Sequence, residues 1–211
     1  MGEALTVTRV SNGDLTLRRG VAELMVGAFW DSLALVGGTR DDWVEWTLEN
    51  LNPERVFAVA GGDGVAGALA YSPPGSRDAL HVSLASCARH FGVALGLRVY
   101  RVMRREFSTP LKIEGIGLEN DCYIELLAVA ESLRRTGLGR GMIDSARELL
   151  PEYLTFVLEV DDTNASARSL YASAGYVEVG RYPEPWSSAR AHGTMERIYM
   201  RHGHGDYERG A

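Results

Sequence analysis

Apolar and polar residues follow three successive patterns over the first fifty positions of the chain. Residues 5–10 alternate with the period of two that is typical of a short strand. Residues 15–30 and 42–51 carry apolar side chains three or four positions apart, which predicts two amphipathic helices. Gly37 and Gly38 lie between them as helix breakers. This part of the chain therefore predicts one strand followed by two helices.

Two apolar runs separated by a glycine-rich turn come next. Residues 56–60 and 65–71 flank a Gly-Gly-Asp-Gly turn, an arrangement that predicts a β-hairpin. Residues 81–107 then repeat apolar side chains at helical spacing. We therefore expect a long helix that Gly92 and Gly96 bend or divide.

Strands and helices alternate in the second half of the chain. A nearly continuous apolar run over residues 123–129 predicts a buried strand. The pattern further predicts helices at 137–150 and 164–174 and strands at 154–160, 177–182 and 194–201. This order indicates a mixed sheet covered by helices. Because no linker or repeat divides the sequence, we expect one domain over residues 1–211.

Composition and charge exclude several classes of protein. Of the 211 residues, 45% are apolar and 24% are charged, which is ordinary for a globular protein. The formal net charge of −6 argues against a nucleic-acid-binding surface. Residues 1–10 lack the pattern of a signal peptide, and the longest apolar stretch, 91–97, is too short to span a bilayer. We expect a cytoplasmic protein without a membrane partner, in which Cys87 and Cys122 are reduced.

The most informative segment, residues 125–141, runs from the buried strand through a basic, glycine-rich turn into a helix. Such a turn presents backbone N–H groups, and the helix N-terminus adds partial positive charge. Glycine is needed where the backbone approaches an anion closely or adopts a positive φ. Arg134, Arg135 and Arg140 add cationic side chains. The segment therefore predicts a phosphate-binding site.

Two common nucleotide motifs fit this turn poorly. A Walker A motif ends in Gly-Lys-Ser/Thr, and the turn has no lysine. A Rossmann fingerprint has the form G-x-G-x-x-G directly after the first strand. Here Gly137, Gly139 and Gly141 form G-x-G-x-G late in the chain.

A third pattern fits in two places. Arg134, Gly137 and Gly139 match Arg/Gln-x-x-Gly-x-Gly/Ala, and Asn164 begins the segment Asn-x-x-Ala-x-x-Leu-Tyr, which ends at Tyr171. With both motifs in this order, the sequence resembles the GCN5-related N-acetyltransferase (GNAT) superfamily over residues 122–182. The resemblance implies transfer of an acetyl group from acetyl-coenzyme A (acetyl-CoA) to a primary amine by direct attack in a ternary complex.

The resemblance also implies a fold and a binding site for the co-substrate. The fold is α/β, with a mixed, mostly antiparallel sheet of about seven strands that splays near the fourth and fifth strands. Helices flank the sheet, and a helical insertion precedes the fourth strand. The splay is expected near residue 128, where free backbone groups pair with pantetheine and the Val129 N–H faces the thioester carbonyl. The residues implied in acetyl-CoA binding are Leu127, Ala128, Val129, Arg134, Arg135, Thr136, Gly137, Leu138, Gly139, Arg140, Gly141 and Asn164.

Two side chains are candidates for the chemistry. Tyr171 matches the family's usual proton donor to the departing thiolate, and a hydrogen bond to that thiolate is the alternative role. Glu125 interrupts an apolar strand, and buried carboxylates are rare unless they are paired or functional. It is our candidate base, with an ion pair to an arginine as the alternative. Alternation along the strand predicts that Glu125 lies on the face opposite Leu126.

The sequence says less about the acceptor substrate and about the oligomeric state. Trp30 and Trp186 are candidate acceptor contacts, and the acceptor is a small-molecule amine or a peptide amine. No metal site is predicted, because the five histidines lack ligand spacing. A non-catalytic acyl-CoA sensor and an enzyme that uses a longer acyl-CoA remain alternatives. The sequence does not decide whether the protein forms a homodimer.

Overall fold

A seven-stranded mixed sheet flanked by helices organises the chain. The structure, a computed structural model, describes residues 6–62, 64–108, 121–183, 193 and 195–203. The strands are β1 (Val7–Arg9), β2 (Val56–Gly61), β3 (Gly64–Ser72), β4 (Cys122–Val129), β5 (Phe156–Asp161), β6 (Val177–Pro183) and β7 (Glu196–His202). The helices are α1 (Leu15–Ala28), α2 (Trp30–Val36), α3 (Arg40–Asn50), α4 (Leu84–Ser108), α5 (Leu138–Leu149) and α6 (Ala165–Ser173). The predicted α/β class is confirmed.

The strand order is β1-β2-β3-β4-β5-β7-β6. Every neighbouring pair is antiparallel except β4 and β5, which are parallel. Their pairing runs only from Cys122 opposite Phe156 to Ile124 opposite Leu158. Beyond these residues the two strands part. The expected splay is therefore confirmed, but it begins before residue 128, directly after Ile124.

A β-bulge explains where the splay begins. Ala70 pairs with Leu126 whereas Tyr71 pairs with Ile124, so Glu125 is an extra residue on β4. A bulge leaves its extra residue outside the ladder and bends the strand. The bend therefore lies where β4 leaves β5.

Helices cover both faces of the sheet. On the first face, α1, α3 and α4 pack over β2, β3 and β4 around buried residues such as Trp43 and Ala68. On the second face, α5 and α6 pack around Met142, Leu158 and Tyr171. Helices on both faces are what the strand–helix alternation predicts. Among the described residues, no helix has the length and hydropathy that a membrane span requires.

The N-terminal region contains three helices instead of the two predicted. The expected helix over 15–30 ends at Ala28, because Phe29 leaves helical geometry at φ −109° and ψ 14°. The chain then resumes as α2, which ends at Gly37. Thr39 caps α3 in a reciprocal capping box with Asp42, so this helix begins two residues before the predicted 42.

The long helix α4 is divided at one of the two predicted glycines. Gly92 has φ 72° and ψ 166°, which is not helical. Gly96 instead allows close packing, since a Cβ there would lie 2.6 Å from the Cα of Ala88. The whole of α4, from Leu84 to Ser108, lies between β3 and β4 and corresponds to the helical insertion expected over residues 81–107.

Candidate active site

The loop between β4 and α5 has the backbone geometry of an anion-binding turn. Gly137 caps α5 with a left-handed φ of 91°, and Arg135 has a positive φ of 63°. The first intrahelical bond of α5 runs from Gly141 N–H to Gly137 O. The N–H groups of the first helical turn therefore point out of the helix without intrahelical partners. This arrangement fits the pyrophosphate that the resemblance implies.

The other glycines of the loop differ in their surroundings. A Cβ on Gly139 would lie 3.2 Å from Leu170 Cδ2 and 3.5 Å from Val129 Cγ2. Gly139 therefore lets α5 pack closely against α6 and the end of β4. A Cβ on Gly141 would meet no atom within 4 Å, so packing does not require glycine there.

The polar side chains of the loop mostly bind the protein itself. Arg134 Nε donates to the Val129 carbonyl at 3.4 Å. Arg140 donates to the Ser173 carbonyl at the end of α6. Thr136 Oγ1 donates to the Leu133 carbonyl at 2.7 Å. Of the three predicted arginines, Arg140 thus joins α5 to α6, while Arg134 and Arg135 are exposed at the turn.

Backbone groups of β4 face the gap between β4 and β5. Ala130 N–H donates to Ala66 O at 2.9 Å, so this group points toward β3. Because backbone groups alternate in direction along a strand, those of Leu127 and Val129 point away from β3 and into the gap. The Ala128 side chain is buried under the helices of the first face. The gap therefore offers the backbone groups of Leu127 and the N–H of Val129 to an extended ligand such as pantetheine, while the Val129 carbonyl accepts from Arg134.

A cavity of about 340 Å³ opens where β4 and β5 part. Glu125, Asn164 and Tyr171 all line it, together with Leu126 and Leu127. The candidate residues from β4 and α6 therefore meet at one place. Asn164 and Tyr171 share a helix face, as their spacing predicts.

Glu125 lies at the floor of this cavity. Its side chain is fully buried, and Ser72 Oγ donates to its Oε1 atom. The other oxygen, Oε2, lies 3.9 Å from Arg77 Nη2 and has no hydrogen-bond partner among the described residues. Burial raises the pKa of Glu125, while Arg77 and Ser72 oppose that rise. A raised pKa strengthens a carboxylate as a base.

The structure corrects the predicted orientation of Glu125. Ser72 lies two residues beyond Ala70 on β3, so the two side chains share a face, and Ala70 pairs with Leu126. Since Glu125 contacts Ser72, it lies on the same face as Leu126 and not opposite it. The bulge is the physical reason, because an extra residue breaks the alternation of faces.

Sequence reasoning missed a cluster of charged side chains around Glu125. The Arg77 guanidinium lies 4.5 Å from the centre of the Tyr123 ring and 3.6 Å from Glu159 Oε1. Tyr123 donates its hydroxyl hydrogen bond to Glu159. Arg197 contacts Glu159 at 3.4 Å, and it contacts Glu106 of α4 at 2.6 Å.

A signal for part of this cluster is present in the sequence. Glu159 interrupts the apolar strand β5 as Glu125 interrupts β4. Because Tyr123 pairs with Val157 in parallel register, the two glutamates occupy equivalent positions two residues further along. Two such interruptions in adjacent parallel strands indicate a shared polar site.

Tyr171 is buried, with 8% of its surface exposed, and its ring centre lies 6.0 Å from that of Tyr176. Burial raises the pKa of Tyr171 to about 12. The phenol is therefore protonated at neutral pH and donates a hydrogen bond more readily than it releases its proton.

The remaining candidates are distributed between the cavity and the surface. Asn164 caps α6, since its Oδ1 atom accepts from Ala167 N–H at 3.0 Å, and its amide group also lines the cavity. Trp30 packs beneath the Arg40 guanidinium, 5.5 Å away, outside the cavity lining. Its neighbour Phe29 lines the cavity instead, because the chain turns at this residue between α1 and α2. Trp186 lies outside the described residues.

A larger cleft of about 710 Å³ borders the loop between β4 and α5, here called the phosphate loop. The cleft lies on the side of α1 and α3. Arg134 lies at one end of it, and exposed pairs such as Arg19 with Glu45, at 2.8 Å, line its wall. Glu125 and Tyr171 do not line this cleft. The smaller cavity is therefore the one with buried ionisable groups.

The two cysteines and the histidines of the described segments lie apart from the cavity. Cys87 and Cys122 are buried free thiols. His202 ends β7 beside Arg147 and Tyr176. Within the described part of the chain, no three side chains of the metal-binding types come together.

Known proteins with this fold include several acetyltransferases. An N-acetyltransferase from Staphylococcus aureus Mu50 aligns with 93% of this chain and 100% of its own, at 14% identity and a TM-score of 0.56. Ard1 from Thermoplasma volcanium aligns over 94% and 96%, at 19% identity and a TM-score of 0.53. The NatC complex bound to Gag peptide and CoA contains a chain that aligns over 95% and 99%, at 11% identity and a TM-score of 0.55. These likenesses establish the fold.

The sequence itself gives the family. A comparison with curated proteins finds no match. Residues 26–176 match the Acetyltransferase (GNAT) family, and this range includes the phosphate loop, both parting strands and Tyr171. Because the match covers more than half of the chain, the protein belongs to the Acetyltransferase (GNAT) family.

Proposed function

We propose that this protein transfers an acetyl group from acetyl-CoA to a primary amine. The observation that supports this most directly is the meeting of Glu125 and Tyr171 in one cavity, at the point where β4 and β5 part. A protein that only bound acyl-CoA would need the loop and the gap, but neither a buried carboxylate nor a buried phenol between them. Acyl transfer needs a base, a site for the thioester and a group that stabilises the departing thiolate.

Acetyl-CoA, the acetyl donor, binds to the loop between β4 and α5 and in the gap between β4 and β5. Backbone N–H groups at the start of α5 bind the pyrophosphate, and the exposed Arg134 and Arg135 add positive charge. Backbone groups of Leu127 and Val129 bind the pantetheine arm as an additional strand would. Acetyl-CoA supplies a thioester, whose acyl carbon forms an amide bond with the amine as its bond to sulfur breaks.

In this mechanism Glu125 accepts the proton of the amine, and Tyr171 stabilises the negative charge that develops on sulfur. Glu125 accepts a proton from the amine, directly or through a water molecule, so that the nitrogen lone pair is free to attack. Its raised pKa makes it a stronger base than an exposed carboxylate. Tyr171 donates a hydrogen bond to the sulfur as negative charge develops there. Since its pKa is about 12 and that of a thiol is about 8.5, full proton transfer to the thiolate is unfavourable.

Calorimetric titration with acetyl-CoA tests the donor side, with succinyl-CoA and ATP titrated in parallel. We expect saturable binding of acetyl-CoA and none of ATP. Tighter binding of succinyl-CoA would indicate a longer acyl donor. Absence of binding to any acyl-CoA would refute the proposal.

Thiol release in the presence of primary amines tests the catalytic role of Glu125. We expect Glu125→Gln to lower kcat/KM by about 10²- to 10⁴-fold, as loss of a general base does, without weakening acetyl-CoA binding. Glu148→Gln on the exposed side of α5 is the matched control and should retain full activity. Equal activity of both variants would remove Glu125 from the mechanism. Acetyl-CoA binding without thiol release by the wild-type protein would instead identify a sensor.

A further inference from the structure

The acceptor end of the cavity has two chemically different surfaces. Helices α1 to α4 and the turn at Phe29 supply apolar side chains, and those that remain partly exposed there include Phe29, Val102 and Phe107. The opposite side, formed by the sheet and the segment after β3, carries the ionisable groups other than Glu106, which lies on α4. The charged residues lining the cavity in the described part of the chain are Arg77, Glu106, Glu125, Glu159, Asp161 and Arg197.

Carboxylates outnumber guanidinium groups on the charged surface. Arg197 is shared by Glu106 at 2.6 Å, Glu159 at 3.4 Å and Asp161 at 4.0 Å. Arg77 is shared by Glu125 and Glu159 and also stacks on Tyr123. Because both guanidinium groups already contact carboxylates, they are poorly placed to bind a further anion. The surplus negative charge favours a cationic ligand.

One oxygen is placed to receive such a cation. Glu125 is one of the residues that line the cavity, and its buried Oε2 atom accepts no hydrogen bond from a side chain of the described residues. A buried acceptor without a donor is costly, and an ammonium group would satisfy it. The ammonium of an acceptor bound there lies beside the proposed base.

The apolar wall limits what else the acceptor carries. A second ammonium group placed against Phe29, Val102 and Phe107 would lose hydration, and the nearby carboxylate of Glu106 is already paired with Arg197 at 2.6 Å. A peptide would place its backbone N–H and C=O groups against the same wall. The cavity volume of about 340 Å³ also lies at the small end of the range for ligand cavities, roughly 300–1,000 Å³.

We infer that the acceptor is a small primary amine with one positive charge, an apolar aryl or branched alkyl body and no carboxylate. This inference rests on the proposed function and specifies the substrate class of the same site. In this arrangement the ammonium contacts Glu125, while the apolar body packs against the side chains of α1 and α4. Val102 in the second segment of α4 is then a specificity-determining residue.

Four amines test the inference, each differing from the expected class in one respect. The panel is 2-phenylethylamine, L-phenylalanine (which adds a carboxylate), 1,4-diaminobutane (which adds a second cation) and a tripeptide with a free N-terminus. We expect kcat/KM for 2-phenylethylamine to exceed that of each other amine by tenfold or more. Equal or better use of L-phenylalanine, the diamine or the tripeptide would overturn the inference and leave the proposed function intact.

A variant pair tests the apolar wall. Val102→Glu adds a carboxylate to the wall, so the ratio of kcat/KM for 1,4-diaminobutane to that for 2-phenylethylamine should rise at least tenfold. Val102→Gln has the same shape without the charge and should change this ratio much less. Equal ratios in the two variants would contradict a role for Val102 in selecting monocationic amines. Unchanged acetyl-CoA binding verifies that both variants are folded.

Binding measured without turnover separates the two proposals. Calorimetry on the protein saturated with CoA should detect 2-phenylethylamine binding and at least tenfold weaker binding of L-phenylalanine. If this preference is seen but no amine is acetylated, the proposed function fails while the ligand class stands. If amines are acetylated but the preference is reversed, only the ligand class fails.

Discussion

Two opposing effects set the pKa of the Glu125 carboxyl group. Burial destabilises its charged form, while the Arg77 guanidinium 3.9 Å away and the Ser72 hydroxyl stabilise that form. A general base works best when its pKa lies near the operating pH. The distance of Arg77 therefore matters to catalysis even though its guanidinium carries no proton of the reaction.

Removing Arg77 should shift the pH profile of the enzyme. In Arg77→Gln the charged form of Glu125 loses a nearby cation, so its pKa rises further and the acid limb of kcat/KM moves to higher pH. Arg77→Lys keeps the charge and should return the limb toward the wild-type position. Arg101→Gln, on an exposed surface of α4, should leave it unchanged. A profile that does not move in Arg77→Gln would mean that Glu125 is not the titrating group.

The phenol of Tyr171 can be tested against a neighbouring tyrosine. Tyr171→Phe should lower kcat by about ten- to a hundredfold, since a hydrogen bond to a charged group contributes about 1.5–3 kcal/mol. Acetyl-CoA affinity should change little. Tyr176→Phe is the control, because Tyr176 is equally buried beside Tyr171 but does not line the cavity. Equal losses in both variants would indicate a packing role for Tyr171.

At the scale of elements, the start of α5 and the end of β4 form one functional unit. The strand leaves its ladder with β5 after Ile124, and the helix begins at Leu138 behind a left-handed glycine. Gly139 keeps α5 close to α6, and Arg140 binds the carbonyl at the end of α6. The loop conformation is thereby fixed from both sides before any ligand binds.

Two glycine substitutions test this unit. Gly137→Ala places a side chain at φ 91°, where left-handed geometry costs about 1–2 kcal/mol. We expect the free loop of this variant to leave the conformation that binds the ligand, so that acetyl-CoA affinity falls by up to about five- to thirtyfold. Gly141→Ala adds the same methyl group one helical turn later, where no atom lies within 4 Å. It should leave affinity unchanged. Calorimetry measures both, and equal affinity of the two variants would show that the loop adapts to a side chain at 137.

At the scale of the molecule, charge is divided between the two ends of the active-site gap. The protein has a formal net charge of −6, yet the loop after β4 carries Arg134 and Arg135. Around the acceptor end, carboxylates exceed guanidinium groups among the described lining residues. The proposed anionic donor and the inferred cationic acceptor would therefore each be attracted to a different end of the same gap.

Salt should weaken attraction of the acceptor. The screening length falls from about 10 Å at 0.1 M salt to about 3 Å at 1 M. At saturating acetyl-CoA, kcat/KM for a cationic amine should therefore fall about two- to tenfold over this range, and Glu106→Gln should show a smaller fall. Steady-state kinetics at several salt concentrations measure this. A rate that is insensitive to salt would contradict electrostatic attraction of the amine.

Elements governed by local patterns could be predicted from the sequence. The hairpin of β2 and β3, the helices α5 and α6, and the two strands before them follow from side-chain periodicity and from glycine or proline at their ends. The break at Phe29 could not be predicted, because the apolar pattern continues through it into α2. The splay was expected from the resemblance, but its exact start depends on a bulge in pairing between β3 and β4.

The sequence by itself determined the order of elements, the phosphate loop and the identity of Tyr171 and Glu125 as candidates. The order of elements, the loop and Glu125 depend on residues close together in the chain, where periodicity and glycine conformation act, whereas Tyr171 was identified through the resemblance to the GNAT superfamily. Only the tertiary structure decided the face on which Glu125 lies and the side chains that surround it. Arg77, Glu106, Glu159 and Arg197 lie far apart in the sequence, and strand pairing together with the path of α4 brings them together. The acceptor cavity is therefore a product of long-range packing, which no local pattern encodes.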